Sequence, residues 1–141
     1  VVPFYAMMKA FGFVYFTWGA VAMITIVMRF SSVVPQEPGN VGTFQALRHR
    51  MAECAVLAGG VRWLALKAAA TGDAGDAALA AFHAQESATR VAYDTHQMLA
   101  AMGMTLEHPL HLWTYRLKAL MSDLGGRGGQ AQAIAQACFG A

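Results

Sequence analysis

Residues 10–28 read AFGFVYFTWGAVAMITIVM, nineteen positions without a charged side chain, closed by Lys9 on one side and Arg29 on the other. A helix rises about 1.5 Å per residue, so the run reaches roughly 28 Å, close to the ~30 Å hydrocarbon core of a bilayer. In hydrocarbon every backbone N–H and C=O must find a partner within the chain. A continuous helix achieves this, and the absence of proline between Phe4 and Val34 permits one. The run therefore predicts a membrane span within an anchor over residues 1–30; a helix buried in a protein core is the competing reading. Tyr15 and Trp18 bring polar atoms deep into this run, where they call for a neighbouring helix or a lipid headgroup. Lys9 stands on one side of the span and Arg29, Arg48 and Arg50 on the other, so positive charge does not orient it.

Working outward, residues 31–42 read SSVVPQEPGNVG, and Pro35, Pro38, Gly39 and Gly42 make them a linker. The remaining residues, 43–141, suffice for one small domain. They are rich in alanine and lack proline until Pro109, a helical composition. Thr43 offers a cap to a first helix that Gly72 closes. Phe44, Leu47, Met51, Cys54, Ala58, Val61, Ala65 and Ala68 recur along it at three- and four-residue steps. Gly59 and Gly60 weaken its middle by about 1 kcal/mol each relative to alanine. A second helix runs from Asp76 to Met102, capped by Asp73 or Asp76 and ended by Gly103. Its Glu86, Arg90 and Asp94 at i, i+4 and i+8 read as a solvated ladder. Pro109 suits the first turn of a third helix with the stripe Leu110, Trp113, Leu117, Leu120 and Leu124. The glycine run 125–129 stops it as a flexible hinge. A last helix, Gln130 to Phe139, places Ala131, Ile134 and Cys138 on one face. The expected fold is all-α: one transmembrane helix, then a small antiparallel bundle of three or four helices.

Past Phe30 there are eight cationic and eight acidic side chains, which argues against nucleic acid as a partner. His108 and His111 share an i, i+3 spacing but have no evident third ligand, and His49 with Glu53 reads as a surface pair. No CxxCH, GxSxG or P-loop occurs. Met98 and Met102 read as core filler, and Cys54 lies on the apolar seam. Cys54 and Cys138 form one even pair, bridged or free. No catalytic residue, cofactor or metal is expected, and the protein is read as a non-enzyme.

The function these features predict is a structural or accessory single-span subunit of a larger bacterial assembly in the inner membrane. Its partners would be membrane lipid and other subunits or copies of itself, gripped through Tyr15 and Trp18 in the membrane and Trp113 and Leu117 outside it. One alternative is a processed, pilin-like subunit of a helical filament. Another is a haem- or metal-binding electron-transfer subunit using His83, His96, His108 or His111.

Overall fold

The computed structural model describes residues 45–140. The expected anchor and linker, and with them Tyr15 and Trp18, lie outside the described residues. Within them the chain is all-helical: α1 (Gln45–Thr71), α2 (Ala74–Gly103), α3 (Leu110–Ser122), a 3₁₀ turn (Asp123–Gly125) and α4 (Gly126–Phe139).

Helix α2 is the axis of the fold. Its thirty residues reach about 45 Å. The chain enters it through a tight turn in which Gly72 adopts φ 65°, a conformation that favours glycine, and returns its N–H to the Ala68 carbonyl. Of the two candidate caps, Asp73 caps the helix by accepting the Asp76 N–H at 2.9 Å. Asp76 instead holds Lys67 at 2.8 Å across the turn.

Pairings along α1 and α2 run in opposite order: Arg50 meets Asp94, Gly60 faces His83, and Lys67 meets Asp76. The two helices are therefore an antiparallel hairpin. The expected seam of α1 is the face turned inward, with Cys54, Ala58 and Val61 buried and Leu47, Met51, Ala65 and Ala68 packed at its edges.

The opposite flank of α2 is covered by a leg in two pieces. Thr114 of α3 meets His96 near the end of α2, the Asp123 carbonyl accepts from Gln85, Arg127 pairs with Glu86, and Ala137 of α4 lies over Gly75. Helices α3 and α4 thus run one after the other down α2. Gly125 (φ 84°) and Gly126 (φ 62°) make the break between them with two consecutive left-handed residues. The core they enclose is built on alanine: Ala80, Ala81, Ala84 and Ala88 of α2 let Val61, Leu110 and Leu117 come close. Burying each such leucine contributes about 1.5–3 kcal/mol.

Two expectations are corrected here. The glycine run is a break only at its first two members; Gly128 and Gly129 lie within α4, which starts four residues earlier than expected. The inward face of α4 carries Gln130, while Cys138 is exposed, because α4 docks by the face that meets α2. Among the described residues α1 has the length and apolar composition to cross a bilayer. Its Arg50, Glu53 and Lys67 are committed to α2 instead.

Candidate functional site

A groove of about 800 Å³ opens between the last four turns of α2 and the facing side of α3. Thr89, Ala92, Tyr93, His96, Gln97, Ala100 and Ala101 form one wall at helical spacing; Thr114, Lys118 and Met121 form the other, and Met104 stands at one end. The wall is mostly apolar, since alanines alternate with the polar positions. Among the described residues no carboxylate lines it, and Lys118 is the one lysine or arginine that does. Ala100 interrupts α2 with φ 48° and ψ −129°, a conformation L residues adopt at a cost of about 1–3 kcal/mol.

The two walls are tied at one point. His96 Nε2 lies 2.7 Å from Thr114 Oγ1, and the Thr114 hydroxyl donates to the Leu110 carbonyl at 3.1 Å. The other ring nitrogen of His96, Nδ1, is buried and has no hydrogen-bond partner among the described residues. Just before α3, His108 Nδ1 accepts the Leu110 N–H at 3.3 Å, and His111 Nδ1 donates to the His108 carbonyl at 2.7 Å. Both histidines thus secure the first turn of α3, where Pro109 has no side chain to cap with. Burial, and then the neighbouring His111, push the His108 ring below its ordinary value.

On the other flank of α2 lies a compact ionic cluster. Asp94, 1% exposed, receives Arg90 Nε at 2.6 Å from one turn earlier and Arg50 Nη1 at 3.1 Å from α1. Arg90 also reaches Glu53 at 2.9 Å. The Cys54 thiol sits 4.0 Å from Asp94, and burial followed by the Asp94 charge raises it to about 11. A thiol held that high is a poor nucleophile at neutral pH, so the cluster is a clasp rather than a reactive centre.

The residues singled out from sequence fall as follows. Leu117 is buried in the core. Trp113 is half-buried against it, with the Arg116 guanidinium 5.8 Å over its ring. Cys54 and Cys138 are both free, one buried and one exposed. His83 packs against Gly60, His96 lines the groove, and His108 and His111 share the turn before α3. Among the described residues no three of His, Cys, Asp and Glu gather as a metal-binding group. The supposed ladder is a solvated face only in part: Glu86, paired with Arg127, and Arg90 stay about half exposed, whereas Asp94 is buried. Asp94 lies three residues after Val91 and seven after Ser87, both buried, and that spacing was the available signal. Tyr93 and Lys118 were missed, because a lone tyrosine and a lone lysine carry no local pattern.

The model of the acyl-CoA dehydrogenase C-terminal domain matches residues 8–138. Acyl-CoA dehydrogenase IpdE2 of Mycolicibacterium smegmatis is 33% identical over 85 residues, 60% of this chain and 27% of that protein. The structure of a glutaryl-coenzyme A dehydrogenase with glutaryl-CoA superposes with a TM-score of 0.88 at 22% identity, covering 99% of this chain and 37% of that one. The ChsE4–ChsE5 complex of Mycobacterium tuberculosis gives 0.83 at 24% identity, over 93% of this chain and 37% of that one. At these identities the two structures establish the shared helical fold. The chain spans about a third of the length of the proteins it matches.

These matches overturn several expectations. The matched region begins at residue 8, so the uncharged run 10–28 belongs to the same domain as the bundle and not to a membrane anchor. An uncharged stretch of this length also suits a helix enclosed by other helices, and length and hydropathy do not separate the two solvents. The single-pass inner-membrane localisation and the membrane-lipid partner fall with the anchor. An enzyme family likewise replaces the structural or accessory subunit, the pilin-like filament subunit, the haem- or metal-binding electron-transfer subunit and the non-enzyme reading.

Proposed function

This chain belongs to the acyl-CoA dehydrogenase C-terminal domain family, and on that membership we propose that it is the helical domain of a flavin-dependent dehydrogenase acting on acyl-CoA thioesters. The match across residues 8–138 carries the reading. The reaction is proposed for the whole protein, of which this chain is one part.

Acyl-CoA dehydrogenases are FAD enzymes, and the groove fits one wall of a site for such a ligand. Ala92 and Ala101 bring little bulk, so a flat ring can approach α2 closely; Lys118 offers an ammonium to a phosphate, and Gln97 a hydrogen-bonding amide. A bound flavin supplies the hydride acceptor for oxidation of the thioester's Cα–Cβ bond. The residues of this chain bind and orient. The His96–Thr114 contact and the buried Leu110 and Leu117 fix the spacing of the two walls, and the Asp94 clasp holds α1 against the far side of α2.

Other subunits are the proposed partners, as in the ChsE4–ChsE5 complex. Trp113 remains a proposed contact, because it is only partly buried, beside Arg116. Leu117 acts indirectly, by seating α3.

The test uses the full-length protein, purified and supplied anaerobically with a series of acyl-CoA thioesters. Co-purifying FAD whose visible absorbance bleaches with at least one of them is the expected result. A protein that neither retains FAD nor bleaches with any thioester overturns the reading.

A further inference from the structure

The outer side of α1 carries a second apolar seam, and we propose that a second copy of this chain docks on it, α1 against α1, antiparallel about a two-fold axis. Ala52, Val56, Gly59, Trp63, Leu66 and Ala70 recur at alternating four- and three-residue steps, the spacing of a coiled-coil stripe. The stripe lies away from the Cys54, Ala58 and Val61 face that meets α2. No charged side chain interrupts it, and its large members are open: Val56 and Trp63 are each 73% exposed and Leu66 50%.

The order of sizes along the stripe selects the occupant. Turned end for end and laid on itself, it sets Trp63 of each copy over Gly59 of the other, Val56 against Leu66, and Ala52 against Ala70. A Cβ at Gly59 would meet nothing within 4 Å, so the space for the indole is there. A parallel pair would instead stack Trp63 on Trp63 and leave Gly59 facing Gly59. Charge agrees with the antiparallel register. On one flank Glu53 comes beside Lys67 of the other copy, twice; each is 58% exposed in its own pair with Arg90 or Asp76 and so has room for a second partner. On the other flank Arg62 meets its own copy beside the axis, where its long stem lets the guanidinium turn to water. Assembly through this face is independent of the reaction proposed above.

The experiment uses the full-length protein carrying Cys138→Ser, which removes the exposed native thiol, and a short bis-maleimide as the probe. Arg62→Cys in this background should give a covalent dimer in which peptide mapping finds residue 62 joined to residue 62. Ala70→Cys lies on the same stripe but about 27 Å from its own copy in an antiparallel pair, and should not join to itself. Adding Trp63→Glu to Arg62→Cys should lower the yield of dimer at least about tenfold. Circular dichroism should stay unchanged, since Trp63 is outside the core. No link between the two copies of residue 62, an equal yield from Ala70→Cys, or a yield indifferent to Trp63→Glu overturns the proposal and leaves the stripe to residues 10–28 or to an unlike subunit. FAD retention and bleaching by thioesters test the reaction separately.

Discussion

The Asp94 carboxylate, buried in α2, lies 3.1 Å from the Arg50 guanidinium of α1 and closes the hairpin between the two longest helices. Arg50 and Arg90 keep about half of their side chains in solvent, whereas Asp94 has none to spare. Replacing the carboxylate by an amide therefore leaves the arginines free to hydrate, but one of the two acceptors becomes an N–H donor and the charge of the cluster's hydrogen bonds is lost. Asp94→Asn should cost about 1–3 kcal/mol, and Arg50→Ala less, because Arg90 still neutralises Asp94. Urea unfolding of the two variants checks the order; an Arg50→Ala loss equal to or above that of Asp94→Asn would contradict it.

Two neighbouring glycines of α1 should respond differently to the same change. A Cβ at Gly59 meets nothing within 4 Å, so Gly59→Ala should gain about 1 kcal/mol from helix propensity. A Cβ at Gly60 would lie 3.0 Å from His83 Nε2 and force the ring aside. Gly60→Ala should fall below Gly59→Ala by at least about 1 kcal/mol, and adding His83→Ala should narrow that gap. Thermal midpoints of the three variants decide this, and equal midpoints for the two glycine changes would refute it.

What the sequence disclosed, and what it withheld, follows from the range over which each signal acts. Asp73, Gly72 and Pro109 mark helix ends by chemistry local to three or four residues, so those ends were legible. The same holds for the seam of Cys54, Ala58 and Val61 and for the Leu110–Leu117 stripe, which are periodic. The groove was not legible: Tyr93 and Lys118 line one cavity only because α3 folds back on α2, and nothing in either neighbourhood records that. Asp94 misled because its i, i+4 relation to Arg90 is genuine, yet the carboxylate itself is buried from the α1 side while Arg90 stays half exposed. The run 10–28 misled most, since an uncharged stretch suits lipid and a protein interior alike.

The two cysteines should separate cleanly by reactivity. Cys138 is exposed on α4, whereas Cys54 is fully buried, with its thiol raised to about 11 by burial and by Asp94. Its thiolate fraction at neutral pH is then on the order of one in ten thousand. Labelling the native protein with an alkylating reagent and mapping it by mass spectrometry should modify Cys138 alone, with Cys54 reacting only after denaturation. Comparable native labelling at both positions would show that the α1–α2 interface opens more readily than its packing implies.

Acid should loosen α3 through His108. The folded protein holds this ring neutral, because burial and His111 lower it from the ordinary 6.5 and because Nδ1 must stay unprotonated to accept the Leu110 N–H. The unfolded chain takes up that proton at a higher pH than the folded one. Between the two values the unfolded state binds more protons, and stability falls as pH is lowered. The contribution is fully present above the unfolded value and is lost progressively as pH drops below about 6.5 toward the folded value. Asparagine at this position accepts the same backbone N–H without titrating, so His108→Asn should lose less stability than the wild type between about pH 8 and about pH 5. Thermal midpoints of the two proteins across that interval test the assignment; parallel curves would place the acid sensitivity elsewhere, among the remaining histidines or carboxylates.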